Sequence, residues 1–413
     1  MKRRVVVTGM GVVSPVGIGI ETFWDSLISG KSGIRQITKF DTTDYPVTIG
    51  GEIVDLNPED YFSRKEIQRM DLFTTYAMVA TQEAIEHSGL SDGIQDMDRF
   101  GVIVGSGIGG IETIDEQHTI LQSRGIRAVS PYLTPKMIID IVAGQISIRW
   151  RLKGPNYSVV SACASASHAI GDAMRIIQYG DADVVISGGT EAGICPLGLV
   201  GFIRMKALSQ RNDEPEKASR PFDANRDGFV ISDGAGILVL EEAEHALKRG
   251  ANILGEIVGY GATADAYHIT APAPDGEGAA RAMKRAIRDA GLNQTDVDYI
   301  NAHGTSTPYN DKIETSAIKN VFADRAYNLY ISSTKSMTGH LLGASGGIEA
   351  IASLMSLNTG QLPPTINYET PDPECDLNYI PNKSIEVDIQ IAMSNSFGFG
   401  GHNAVLIIKR WEE

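Results

Sequence analysis

Cysteine is scarce in this chain. Cys163, Cys195 and Cys375 are the only three, none stands in CxxC spacing, and pairing two would leave one over. That excludes a disulfide framework and a cysteine-built zinc site, and it fits a reducing compartment. Positive charge is in deficit, with 36 Lys and Arg against 51 Asp and Glu and a net charge of −15. General affinity for nucleic acid or acidic membrane is therefore not expected, although a local basic patch can still receive an acidic partner. Long hydrophobic runs are missing too, since no stretch approaches the roughly eighteen apolar residues of a membrane span. The opening "MKRRVVVTGMG" passes from basic residues straight into a strand-like run, without a signal-peptide core or an Arg/Ser-rich presequence. The expectation is a cytoplasmic protein with no nucleic-acid or membrane partner.

Linkers, low-complexity tracts and short tandem repeats are also absent, while β-branched runs punctuated by glycine recur over the whole length. "RRVVVTG", "FGVIVGSG", "ADVVISGG", "AGILVLE", "DYINAHG", "LYISSTKS" and "NAVLIIKR" read as strands. Several are almost wholly apolar, the pattern of sheets covered on both faces by helices. "RKEIQRMDLFTTYAMVATQEAIEHSG" and "GEGAARAMKRAIRDAG" each show helical apolar spacing and close on a glycine. This is α/β architecture. The strand "EIVGYGAT" reads as a restart and divides the chain into candidate halves, 1–252 and 253–413.

Three patterns invite readings that their own residues weaken. "GSGIGG" after a strand satisfies GxGxxG, yet no acidic residue follows at the distance a dinucleotide ribose requires. Close packing of glycine-rich backbone is the better account. "DANRDGFVISDG" begins with the ligand spacing of a calcium loop, but its twelfth position is Gly234 instead of a bidentate Glu, so it reads as a turn rich in Asx residues. Asp311 and Glu314 stand at i and i+3 with Lys312 between them. A solvated face, or support behind a site, fits them better than a catalytic pair.

Four other segments carry chemistry. "VVSACASASHAIG" places Cys163 between a β-branched run and small residues, where strand becomes helix. "YINAHGTSTPYND" and "SSTKSMTGHLLGASGG" each set a histidine, His303 and His340, in a polar turn after a strand, where α/β sheets usually place functional groups. "SNSFGFGGHNAVLI" adds a glycine-rich loop whose N–H groups can approach a ligand closely. Together these segments resemble the β-ketoacyl-acyl carrier protein synthases, from "RRVVVTGMGVVSPVG" to "SFGFGGHNAVLI". "GSGIGG" with Ile108, "NAHGTSTPYNDKIET" and "GHLLGASGGIEA" look closer to synthase II than to synthase I.

The resemblance implies a thiolase fold, in which two similar α/β halves form a five-layered α-β-α-β-α core, usually as a homodimer. It implies decarboxylative condensation of an acyl chain with malonyl-acyl carrier protein, no cofactor, and no metal. It makes Cys163 the acyl-accepting nucleophile and His303 and His340 the decarboxylation and condensation pair. Lys335 becomes a cation behind the histidines, with Glu349 as its network partner and Asp311 as further support. Phe399 supplies an oxyanion-hole N–H and gates the cysteine, and Thr305 and Thr307 hydrogen-bond the pantetheine arm. Ile108, Phe202 and Thr270 fall in the substrate pocket, while Lys65, Arg69, Arg204 and Lys206 are candidates for docking an acidic carrier protein.

If Cys163 opens a helix, its thiol pKa is expected to be lowered by the positive end of that helix, with no adjacent base strictly required. A nearby Lys335 would keep the imidazoles neutral. The chain departs from the family pattern at Ala164-Ser165-Ala166, where Ala-Thr-Gly is commoner, and at Ser232-Asp233, where Gly-Glu is more usual. Neither departure is expected to touch a catalytic position. Rival readings are a polyketide-type ketosynthase, a synthase I-like enzyme, a thiolase, an initiating condensing enzyme, and a non-catalytic chain-length factor. A thiolase needs a second cysteine where "GFGGHN" has none, the initiating enzymes place Asn where His340 stands, and chain-length factors lose the cysteine.

Overall fold

The computed structural model describes residues 2–90 and 97–412. Its centre is one mixed sheet. The strands along it are β1 (Val5–Ser14), β2 (Phe100–Gly105), β3 (Asn156–Val159), β4 (Val184–Glu191) and β5 (Gly234–Glu242), then β6 (Gly255–Ala264), β7 (Tyr299–Asn301), β8 (Tyr330–Ser332), β9 (Ile391–Gly398) and β10 (His402–Lys409). Their order is β8-β7-β9-β10-β6-β1-β5-β4-β2-β3, with Gly17–Ile18 paired onto β1. All of the strand-like runs expected from the sequence are strands here; β3 and β9 are not among those runs.

The order hides a duplication. Taking each half from the centre outward, the first reads β1-β5-β4-β2-β3 and the second β6-β10-β9-β7-β8, so the same sequential positions fall in the same places. In each half the two inner pairings are antiparallel and the two outer ones parallel. The halves meet through a short antiparallel pairing of Val6 and Val7 with Glu256 and Gly255.

Helices α1 (Leu72–Ser88) and α2 (Ile141–Trp150) cover the outer face of the first half. Helix α3 (Ser165–Tyr179) lies between the two sheet halves, helices α4 (Glu277–Asp289) and α5 (Asn310–Phe322) cover the outer face of the second half, and α6 (Ser345–Thr359) joins α3 in the middle layer. The layers run α-β-α-β-α, the thiolase-like arrangement. The middle helices are buried on most sides, which is why α3 is rich in Ala and other small residues: Ala166, Ala169 and Ala173 are completely covered, beside Ile170 and Ile177. Each such isoleucine contributes about 1.5–3 kcal/mol on leaving water.

The segment at 64–89 departs from expectation. It is not one helix but a single turn, Arg64–Ile67, followed by α1. Asp71 makes the break: its side chain accepts from Phe73 N–H at 3.2 Å and from Thr113 N–H and Oγ1 at 3.1 and 2.5 Å, so it caps α1 while anchoring a second segment. Gly89 and Gly180 end α1 and α3 in the left-handed conformation, at φ +70° and +85°. No helix among the described residues is long and apolar enough to cross a membrane.

Candidate active site

The repeat places chemistry at equivalent points. After β3 the chain turns through Ala162–Ala164 into α3; after β8 it passes through Leu342–Ala344 into α6. Ala162 and Leu342 both take left-handed φ, +51° and +47°, a conformation costly for residues with a Cβ and held by the surrounding structure. The first turn carries Cys163, which therefore sits two residues ahead of α3 and does not open it. Ser165 closes that turn, accepting from Ser161 N–H at 2.9 Å and donating to Ala162 O at 2.7 Å. The serine that departs from the family pattern has a structural task, then, and the fully buried Ala166 beside it packs toward Gly189.

The two turns meet under the β9–β10 hairpin. His340 Nε2 lies 3.0 Å from Cys163 Sγ, and its Nδ1 lies 3.0 Å from Ser345 Oγ. The His303 ring stands edge-on to His340 with centroids 5.4 Å apart, and Phe397 packs against it at 5.6 Å. Phe229 packs on His340 and Phe202 on Phe229, at 5.2 and 5.4 Å. The N–H groups of Cys163 and Phe399 are directed at the sulfur. Gly398 makes this approach possible, because a Cβ there would lie 2.6 Å from Ser161 O and 3.1 Å from Cys163 N.

Burial governs the electrostatics. It pushes the Cys163 thiol up to about 12, against the pull of Lys335 and the two N–H groups. The expected lowering by a helix N-terminus is thus overturned, because desolvation of a thiolate outweighs those contributions. The imidazole nitrogen 3.0 Å away is within reach of the thiol proton, a neighbour that the sequence reading did not require. Both histidines are held well below the usual imidazole range, first by burial and then by Lys335, with His340 adding to the effect on His303. They are neutral at physiological pH. Lys335 is buried and paired with the buried Glu349, as the sequence suggested for that couple.

Asp311 and Glu314 are not on a solvated face. Both are buried, and both hold backbone. Glu314 accepts from His303 N–H and Gly304 N–H, each at 2.8 Å, and from Asn395 Nδ2 at 3.1 Å. Asp311 accepts from Phe222 N–H at 2.8 Å and from Ser306 N–H at 3.2 Å. They shape the loop that carries His303, Thr305 and Thr307, whose two threonine hydroxyls lie 3.2 Å apart. "GSGIGG" likewise binds an internal anion: Glu191 Oε2 accepts from Gly107 N–H at 2.7 Å and Gly343 N–H at 2.9 Å, while Oε1 accepts from Ile108 N–H at 3.1 Å. In the calcium-like stretch, Asp223 forms an Asx turn with Asn225 N–H at 2.8 Å. Ser232 N–H donates to His340 O at 3.0 Å, a backbone bond that does not depend on which side chain stands at 232. Asp233 is buried and paired with Lys39 at 3.2 Å.

A cavity of about 320 Å³ brings together Cys163, His303, His340, Thr305, Thr307 and Phe399, with Phe202, Thr270 and Lys206 also on its wall. Lys335, Glu349 and Asp311 stand behind that wall, and Ile108 packs in the apolar cluster around Cys163. Lys65, Arg69 and Arg204 are exposed away from the lining, with Arg69 over the Tyr132 ring. Glu191, Ser345, Asn395 and Phe229 were missed by the sequence reading. A carboxylate directly after the "VVISGGT" strand was a signal available for the first; the others carry none without the fold.

The chain matches two family models, "Beta-ketoacyl synthase, N-terminal domain" over residues 2–246 and "Beta-ketoacyl synthase, C-terminal domain" over residues 254–369. It is 54% identical over 410 residues to 3-oxoacyl-[acyl-carrier-protein] synthase 2 of Staphylococcus aureus strain COL, covering 99% of each chain. It is 52% identical over 411 residues to the protein of that name from Synechocystis, covering 100% of this chain and 99% of the other. Among solved structures, a β-ketoacyl synthase from Burkholderia phymatum superposes with a TM-score of 0.93 at 36% identity, covering 99% of this chain and all of that one. A type II polyketide acyl-carrier protein in complex with its ketosynthase, bound to a hexaketide, gives 0.92 at 35% identity with both chains fully covered. A paired repeat that brings a cysteine turn against two neutral imidazoles, in a sequence matched along its length, has one home: this chain belongs to the β-ketoacyl synthase family.

Proposed function

We propose that this chain catalyses the elongating condensation of fatty acid synthesis, joining an acyl group held on Cys163 to malonyl-acyl carrier protein and releasing carbon dioxide. The observation that carries this reading is the 3.0 Å contact between Cys163 Sγ and His340 Nε2, with the His303 ring beside it. The half at 1–252 contributes the nucleophile and the half at 253–413 the imidazoles.

In the first half-reaction Sγ attacks the acyl thioester carbonyl while its proton passes to His340 Nε2. The N–H groups of Cys163 and Phe399 stabilise the tetrahedral oxyanion. The carbon–sulfur bond to the pantetheine breaks, and the departing sulfur takes the proton back. In the second, the malonyl carboxylate leaves as carbon dioxide and its electron pair becomes an enolate. Nε2–H groups of the two neutral histidines donate to the enolate oxygen. The enolate carbon then attacks the Cys163 acyl group, expelling the thiolate, and one solvent proton restores the thiol. Lys335 keeps both imidazoles neutral at rest and makes the imidazolium formed on His340 during acyl transfer short-lived, so the proton returns to the departing sulfur, and the Phe399 hairpin limits water that would quench the enolate.

Thr305 and Thr307 hydrogen-bond the pantetheine arm, and Ile108, Phe202 and Thr270 bound the space for substrate. No cofactor or metal takes part, and the carrier protein docks on Lys65, Arg69, Arg204 and Lys206. The identities of 52–54% to synthase 2 proteins favour fatty acid elongation over a polyketide ketosynthase, for which structural likeness comes at 35% identity. The cysteine and both histidines argue against a non-catalytic chain-length factor. We take the protein as a cytoplasmic homodimer; the edge strand β3, with exposed Tyr157 and Val160 at its side, is suited to continuing the sheet into a second copy.

Cys163→Ala is expected to abolish acyl-enzyme formation with the fold intact, read by mass spectrometry after incubation with acyl-carrier protein. An acyl adduct persisting in that variant would overturn the assignment.

A further inference from the structure

The two serines at equivalent points of the repeat are used differently. Ser165, the first residue of α3, directs its hydroxyl proton to Ala162 O and thereby closes the cysteine turn. Ser345, the first residue of α6, is equally buried, but its hydroxyl faces an imidazole nitrogen instead of a carbonyl: His340 Nδ1 lies 3.0 Å away. Among the described residues Ser345 Oγ makes no other hydrogen bond. The neighbouring His303 has no counterpart, since its Nδ1 is buried with no partner among the described residues. The two imidazoles are thus chemically unequal, and the one with the serine is the one against the sulfur.

A carbonyl or a backbone N–H at Nδ1 would lock one tautomer, because each is acceptor only or donor only. A hydroxyl is both. The reaction proposed above asks His340 Nε2 for opposite things: an open lone pair to receive the Cys163 proton, and later an N–H to donate to the enolate. The first requires the proton on Nδ1, the second requires it on Nε2.

We propose that Ser345 is a positioning residue that lets His340 serve both half-reactions by reversing a single hydrogen bond. During acyl transfer Nδ1–H donates to Ser345 Oγ and Nε2 accepts the thiol proton. During condensation Ser345 O–H donates to Nδ1 and Nε2–H faces the enolate oxygen. The hydroxyl only rotates, and no bond to it breaks. Water supplies and removes the proton that exchanges the tautomers, when the first carrier arm has left and the cavity is open. This inference rests on the condensation reading, whose own failure would show in the wild-type protein as absence of acylation and decarboxylation.

The test compares wild type, Ser345→Ala and Ser345→Thr in two separate assays: acylation of Cys163 by acyl-carrier protein, and carbon dioxide release from malonyl-carrier protein in a Cys163→Gln background. Ser345→Ala is expected to slow both about tenfold, and Ser345→Thr, which keeps a hydroxyl, to stay within about twofold of wild type. Loss in one assay alone would mean a fixed tautomer and overturn the reversal, as would no loss in either. Nitrogen-15 NMR of histidine-labelled wild type gives a reading that needs no variant. Shifts of His340 between the two tautomer limits are expected in the free protein, and a shift at either limit would overturn the proposal.

Discussion

At the scale of single residues, burial decides the chemistry more than any local dipole. Cys163 is pushed up to about 12 and both imidazoles are pushed down by the same loss of water, so the resting site holds a thiol and two neutral rings. Cys163→Gln is expected to keep malonyl decarboxylation without condensation, and the rate should require His303 and His340. Because both imidazole values lie well below 6.5, that rate should stay level as pH falls from 8 through 6.5; a loss centred near 6.5 would mean that the rings titrate normally. The same depression has a stability consequence. The unfolded chain binds protons on these imidazoles first, so their contribution to stability is complete above about pH 6.5 and is lost as pH falls toward the folded values. Lys335→Ala would leave the Glu349 carboxylate, which burial already pushes up, without its cation in the core. Denaturant titration should show a loss of about 3–5 kcal/mol; a loss below about 1 kcal/mol would show that the pair contributes little.

At the scale of elements, the site is made by chain reversals and not by helix faces. The β9–β10 hairpin lies over the cysteine turn at a separation only glycine allows, with Gly400 and Gly401 at φ +87° and +73° completing the bend. Gly398→Ala is therefore expected to lift the Phe399 N–H from Cys163 and cut acylation roughly 100-fold, the range for losing one oxyanion donor. Unaltered acylation kinetics in that variant would remove Phe399 from the oxyanion account. Behind these turns, carboxylates do the positioning: Glu191 ties the 106–109 loop to Gly343, and Glu314 holds the backbone of His303 and Gly304. Composition could place none of these, since the partners are N–H groups more than eighty residues away for Glu191.

At the scale of the whole molecule, a net charge of −15 opposes the proposed docking of a small acidic carrier protein, so the attraction has to come from a local basic patch. Reversal of charge at Lys65 and Arg69 together is expected to raise the carrier-protein KM severalfold with little change in turnover, most visibly at low salt. An unchanged KM would take that patch out of the account. Much of the molecule can be read without coordinates. Strand by strand, the apolar runs from "RRVVVTG" to "NAVLIIKR" specify a sheet covered on both faces, because hydrophobic periodicity is a local property of neighbouring letters. Cys163, His303, His340 and Phe399 stand out for the same reason, each in a glycine- or hydroxyl-rich turn beside a strand. What those letters could not convey is the meeting of residues 163 and 340 at 3.0 Å, the burial that reverses the expected thiol shift, or the duplicated strand order. Nor could they show that Ser165 and Ser345 occupy one structural position and bond to different partners. The sequence determined which elements form and which residue types could react. Only the tertiary structure decided their distances and their access to water, because both depend on packing between segments far apart in the chain.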